Sequence, residues 1–414
     1  MSSIFTFLSL FFPTLLAYAG EIRMYTWAML FVTMMFVYAY KIIKSNNNNN
    51  NNNVGKALSD DNKFVDENRI KNKKTSEKNW VIFSIFSLAS AYTHYYALVA
   101  AAIINVGMFL YFLVSYKKTY KFNLVNSIVS AIVQIILYLP WLFVFISQTK
   151  SVSKGFWIKF PTPLNVIEFI YTGNIGEGSI QKYLSIPFSL LSFAFLVYLI
   201  VKNWRKKDNK IITTKVILSI WVAIILMMCL VSLIMKQSVF YQRYLFTLMG
   251  LFLIGLSILL SVENKKIIAI YCLCNLIIAT VLNINLIKTN YDHTNKEPME
   301  YLKSELKQDD WILINDQDYC GYISVATLLS DFSKVINYDV NNWNIKEAYR
   351  CYGDTILSLD EINGIKGRMW IISGINSNIP NEVAEKFNAE IIDSKEFKIK
   401  YKGYEYKFTL INLN

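Results

Sequence analysis

The chain has 414 residues, 54% of them hydrophobic and only 17% charged, with a formal net charge of +12 and a mean hydropathy of +0.31. Soluble domains carry roughly 25% charge, so this composition excludes an ordinary soluble protein. The positive charge does not indicate nucleic-acid binding either. Basic residues sit in short clusters at the ends of apolar runs, as the positive-inside rule requires, and no basic–aromatic groove or zinc-finger spacing is present.

A bilayer-spanning helix needs roughly 20 apolar residues. Apolar runs at 4–19, 24–42, 80–93, 96–116, 123–148, 183–201, 216–235, 244–262 and 267–285 predict a polytopic α-helical membrane domain of about nine spans over residues 1–288. A small α/β domain is expected over 289–414. The connections 41–79, 117–122, 202–215 and 263–266 hold 20 Lys and Arg, against 7 in 20–23, 94–95, 149–182 and 236–243. The first set is therefore read as cytoplasmic. With nine spans the N-terminus is cytoplasmic and the C-terminal domain extracytoplasmic, as expected of a multi-pass protein of the cell membrane.

In chain order, the first feature is "AYAGEIRMYTWAML", where Glu21 and Arg23 interrupt two apolar segments. The connection 43–79 contains eight consecutive asparagines, Asn46 to Asn53, and its low hydrophobicity predicts a disordered cytoplasmic loop. The runs 80–93 and 96–116 meet at "YTHYY" with no room for a loop, which puts His94 among Tyr92, Tyr95 and Tyr96 at a tight turn. Pro140 in "LYLPWLF" removes one helix hydrogen bond and predicts a kink. In the outer loop 149–182, Phe156 and Trp157 lie beside Lys154 and Lys159, followed by an amphipathic stretch from Leu164 to Tyr171. This loop reads as an interfacial helix or as a lid over an outward-open site. "KQSVFYQRYLF", Lys236 to Phe246, opens another span with Arg243 between Tyr241 and Tyr244.

In the tail, Pro298 opens an amphipathic helix with Met299, Leu302 and Leu306 on one face. Strands are expected at 311–315, 334–339, 368–374 and 407–413, with a helix in "NEVAEKFNAE". That alternation predicts the α/β layer. No glycine-rich phosphate loop is present. Cys229, Cys272 and Cys274 lie in apolar runs. Cys320 and Cys351 are open to two readings, a disulfide in an oxidising compartment or free thiols.

Ionisable residues at the membrane edge point to function. Three groups fall on the outer side by this topology: Glu21, Arg23 and Tyr25; His94 with Tyr95; and Lys236, Tyr241 and Arg243. Each also has a purely structural reading, as a snorkelling pair, an aromatic belt or a cationic anchor. Read functionally, the arginines and Lys236 are donors to a phosphate. Tyr25, His94, Tyr95, Trp157 and Tyr241 line the substrate cavity.

"FFPTLLAYAGEIRMYTWAMLF", "LASAYTHYYALVA", "LYLPWLFVFISQ", "GFWIKFPTP" and "FYQRYLF", in this order, resemble segments of bacterial glycosyltransferase family 39. That family is related to the dolichyl-phosphate-mannose protein mannosyltransferases and has a GT-C fold. The resemblance implies an inverting enzyme that transfers a sugar from a polyprenyl-phosphate donor to a lipid, glycan or protein acceptor on the outer face. An acidic residue is the general base and basic residues hold the leaving phosphate. On this chain it implies Glu21 as the acid, with Arg23, Arg243 and Lys236 on the phosphate. It also implies that the N-terminal helix and long outer loop usual in the family, which carry its principal base, are missing. The alternative is a non-catalytic membrane subunit or a transporter of lipid-linked sugars, although no internal repeat supports transport. No HxxxH spacing or aspartate cluster indicates a metal; whether a divalent ion takes part is left open.

Overall fold

The computed structural model describes residues 1–19, 23–55, 62–115, 121–153, 159–173, 179–292, 296–315, 334–338, 354–398 and 405–413. They form two compact units, Met1–Leu286 and Ile287–Asn414.

The first unit is helical: α1 (Ser2–Phe11), α2 (Pro13–Ala19), α3 (Tyr25–Gly55), α4 (Asn62–Thr93), α5 (Tyr95–Val114), α6 (Lys121–Ser153), α7 (Pro163–Thr172), α8 (Ser179–Asn203), α9 (Asn209–Ile234), a 3-10 helix (Gln242–Leu248), α10 (Met249–Leu260) and α11 (Lys265–Asp292). Among the described residues, seven segments are long and apolar enough to cross a membrane: Tyr25–Ser45, Tyr95–Val114, Phe122–Lys150, Tyr183–Asn203, Asn209–Ile234, Gln242–Leu260 and Lys265–Lys288. The pair α1 and α2 makes an eighth if it counts as one span. This is fewer than the nine expected, for two physical reasons. The run 4–19 is broken at Phe12, which adopts an extended conformation because Pro13 disfavours the helical one for its predecessor; the two helices meet at 50°. The run 80–93 is the short apolar end of α4, whose first half is polar. Where composition predicts a disordered loop at 43–79, α3 continues to Gly55 and α4 begins at Asn62. Extending an established helix costs far less than nucleating one. Pro140 lies inside α6, and the helix runs through it to Ser153.

The core of this unit is α10. It is apolar all round, as a helix enclosed by others must be, and nearly every residue from Met249 to Leu260 is buried. Gly250 is the point of closest approach to α3: a Cβ there would lie 1.9 Å from Oγ1 of Thr33. Helix α6 is the opposite case, with most of its apolar side chains exposed. It is held to α4 and α5 by a polar ladder. The Ser84 and Ser130 hydroxyls are 2.7 Å apart, Ser87 donates to Gln134 at 2.6 Å, Asn105 donates to Gln134 at 3.1 Å, and Trp80 donates to Asn123 at 3.3 Å. Helix α7 is firmly specified: Thr162 and Asn165 form a capping box, Pro163 occupies the first turn, and Gly173 closes the helix at φ 71°. Its face of Glu168, Phe169, Tyr171 and Thr172 is buried in the bundle.

The second unit has α12 (Lys296–Glu305), β1 (Trp311–Asn315), β2 (Val335–Tyr338), β3 (Asp354–Ile356), β4 (Gly367–Ser373), α13 (Ile379–Lys386), β5 (Glu390–Lys398) and β6 (Glu405–Leu413). The sheet order is β3-β2-β1-β4-β6-β5. The first four strands are parallel, whereas β6 pairs antiparallel with both β4 and β5. One face packs Ile312, Ile314, Trp370 and Phe408 against Met299 and Leu302 of α12. The other packs Leu313, Met369 and Ile371 with Ile379 and Val383 of α13. Asp310, just before β1, is buried and accepts from Arg368 at 3.0 Å, from the Trp370 indole at 3.1 Å and from the Lys307 amide at 3.0 Å. The four strands expected from sequence are present, and β3 and β5 are additional.

Candidate functional site

At one end of the first unit, three chain breaks converge. The first is the start of α3. The second is the single residue His94 between α4 and α5, whose extended backbone (φ −160°, ψ 140°) separates two helices that would otherwise run on. The third is the stretch from Lys236 to Tyr241, entered through a left-handed Lys236 at φ 52°. Tyr96 fastens the second break to the third. Its hydroxyl donates to the Val239 carbonyl at 3.2 Å and accepts from the Tyr241 amide at 3.3 Å. Ser232 accepts from the Val239 amide at 3.0 Å and so anchors the third break to the end of α9.

The aromatic rings at these breaks form one cluster. Tyr244 is the hub: its ring centroid is 4.9 Å from His94, 5.2 Å from Tyr96, 5.3 Å from Tyr241 and 6.2 Å from Tyr25. Tyr25 in turn stands 5.4 Å from His94 and 6.3 Å from Tyr18 of α2. The Arg243 guanidinium lies between the Tyr18 and Tyr241 rings, 5.7 and 5.8 Å from their centroids, in cation–π range of both. The Tyr244 hydroxyl is within electrostatic range of Tyr25, Tyr241, Arg243 and Arg23, so both arginines act on one locus. Arg23 is exposed at the start of α3.

His94 has a defined proton state. Its Nδ1 accepts from the Tyr96 amide at 3.1 Å, capping α5. Burial pushes the imidazole down to about 4, because desolvation disfavours the cation. At neutral pH the ring is therefore uncharged and its proton is on Nε2, available as a donor. Two arginines, a neutral imidazole donor and several phenol hydroxyls suit an anion with oxygen acceptors, such as a phosphate ester.

Of the residues singled out from sequence, Tyr25, His94, Tyr241 and Arg243 share this cluster, and the charge of Arg23 reaches it. Tyr95 turns away: it hydrogen-bonds Gln148 and packs edge-on against Phe145, both of α6, at 5.2 Å from the latter. Lys236 is exposed at the end of α9. Glu21 and Trp157 lie outside the described residues, as do Cys320 and Cys351. Among the described residues no group of three His, Cys, Asp or Glu side chains is placed to hold a metal ion.

Sequence reasoning missed two residues. Tyr18 is one, since nothing in an apolar run separates it from ordinary core. Glu168 is the other. It is 6% exposed, with its carboxylate accepting from Ser185 of α8 at 2.6 Å. An acid in the middle of "PLNVIEFIYT" was the available signal. It stands one residue before Phe169, whose ring is 5.7 Å from Tyr18.

Fold and site together define a helical bundle of membrane-spanning character with a cationic, tyrosine-lined cluster at one end. No family model, curated protein or solved structure matches the chain.

Proposed function

We propose that the chain is a membrane glycosyltransferase of the family 39 type, using a polyprenyl-phosphate sugar as donor and working at the outer face of the cell membrane. In this reading the N-terminus is cytoplasmic and the C-terminal domain extracytoplasmic. The observation that carries it is the Arg243 guanidinium within cation–π range of Tyr18 and Tyr241, in one cluster with Tyr244 and neutral His94. A phosphate bound there meets guanidinium charge and phenol and imidazole donors. The acceptor hydroxyl gives its proton to the carboxylate of Glu21 and its oxygen attacks the anomeric carbon. The bond from that carbon to the phosphate oxygen breaks, and the electron pair leaves on the polyprenyl phosphate. The arginines stabilise the charge that develops on it.

The test is a transfer assay with purified full-length chain, in detergent and in lipid, against a panel of polyprenyl-phosphate sugars, alongside a version extended upstream of Met1. Transfer that falls at least about 100-fold in Arg243→Met, in line with losing one electrostatic stabiliser of the transition state, supports the reading. Binding of polyprenyl phosphate without transfer by either version would make the cluster a lipid-phosphate binding site on a non-catalytic subunit. The absence of both binding and transfer in both versions overturns the proposal.

A further inference from the structure

Helix α9 runs from Asn209 to Ile234, so the α8–α9 turn lies at the end of the bundle opposite the tyrosine cluster. There Lys202 meets Glu263 at 2.6 Å and ties this turn to the α10–α11 turn. The Glu263 carboxylate is 2% exposed and already paired with a cation. Asp208, a second acid of these turns, caps α9 through the Lys210 amide at 3.1 Å. Around them Arg205, Lys206, Lys207, Lys210, Lys265 and Lys266 are all exposed, leaving a strong excess of positive charge. Immediately beside this collar the exposed residues are apolar, Val201, Val216 and Ile270 among them. Trp204, 54% exposed, stands at the border. That is the pattern of a helix end at the headgroup level of a leaflet.

One part of this surface is built inward. Lys215 donates to the Trp204 carbonyl at 2.6 Å and its ammonium is 5.0 Å from the indole ring. With Thr214 and Leu259 these residues line a small hollow whose wall includes Asn203. Asn203 is fully buried. Its amide donates to Leu199, but its Oδ1 has no partner.

We propose that this end of the bundle binds the headgroup of an anionic glycerophospholipid. Its phosphate lies against Lys215 and the Arg205–Lys207 run. The proposal is independent of the transferase reading and concerns the other end of the bundle.

The experiment measures lipid retained by detergent-purified full-length protein, by native mass spectrometry, after addition of phosphatidylglycerol, phosphatidic acid or phosphatidylcholine. Phosphatidylglycerol and phosphatidic acid are expected to bind better than phosphatidylcholine, in a salt-sensitive manner. The triple variant Lys206→Gln/Lys207→Gln/Lys215→Gln should weaken it at least about ten-fold, since each basic residue near such a surface contributes about five-fold. The equally charge-depleted Lys303→Gln/Lys307→Gln/Lys366→Gln variant of the C-terminal unit should bind like the parent. Equal retention of phosphatidylcholine overturns the proposal, as does an unchanged triple variant, an equal loss in the control variant, or displacement of the lipid by millimolar inorganic phosphate.

Discussion

Acidification should loosen the tyrosine cluster, and the amount follows from His94. Free in an unfolded chain its imidazole titrates at 6.5, whereas in the folded protein burial holds it at about 4. Above pH 6.5 both states carry a neutral ring and stability is at its full value. As the pH falls below 6.5 the unfolded state takes up a proton that the folded state refuses. Stability then declines by about 1.4 kcal/mol per pH unit until the folded ring titrates near 4. Between pH 7 and pH 5 the loss is about 2 kcal/mol. His94→Asn removes the titration while leaving a side-chain oxygen to accept from the Tyr96 amide at the head of α5. Chemical or thermal unfolding in detergent at both pH values, for parent and variant, isolates the term. The parent should lose about 2 kcal/mol more than the variant. Identical pH dependence in the two proteins would refute the argument that His94 is held neutral by burial.

Three further outcomes can be checked by the same unfolding measurements. Gly250→Ala places a Cβ 1.9 Å from Thr33 Oγ1 and should cost about 1–3 kcal/mol; adding Thr33→Ala should restore most of it, and additive behaviour of the pair would show that the contact is not limiting. Asp310→Ala strips the buried acceptor of Arg368 and the Trp370 indole and should destabilise the C-terminal unit by about 3–5 kcal/mol, seen as early loss of near-ultraviolet dichroism; Asp310→Asn should lose less. Glu168→Gln keeps an oxygen for the Ser185 hydroxyl and should be well tolerated, whereas Glu168→Leu strands that hydroxyl and should cost about 1–3 kcal/mol.

The helical unit was readable because lipid-length apolar runs leave few alternatives. Its errors came where length alone decides. Phe12 breaks a run through the demand of the following proline, and residues 80–93 borrow the rest of their helix from polar sequence. In the sheet, β1 and β4 announce themselves as continuous apolar runs because parallel strands are covered on both faces. Strand β5, "EIIDSKEFK", does not: it is an edge strand with a bulge between Ile391 and Asp393, and edges carry charge rather than alternation. At the site, charged and aromatic residues next to chain breaks were legible as a class. Which tyrosines meet was not, because that depends on helix rotation: Tyr95 and Tyr96 are neighbours in sequence yet face α6 and the cluster respectively.

The attachment of α6 has a consequence for how this protein tolerates change. On the membrane reading, a helix with this much exposed apolar surface gains little by turning apolar side chains toward its neighbours, since lipid tails serve them as well; what holds it is a short run of polar contacts, each worth about 0.6 kcal/mol on average in such a setting. The many exposed positions of α6, Ile132, Ile135, Ile136 and Phe143 among them, are therefore free to drift among any greasy residues. Gln134, which serves Ser87, Asn105 and Ser130 at once, is not. In a saturation scan of this helix Gln134 should stand out, with Asn123 and Ser130 behind it, against a nearly flat apolar background.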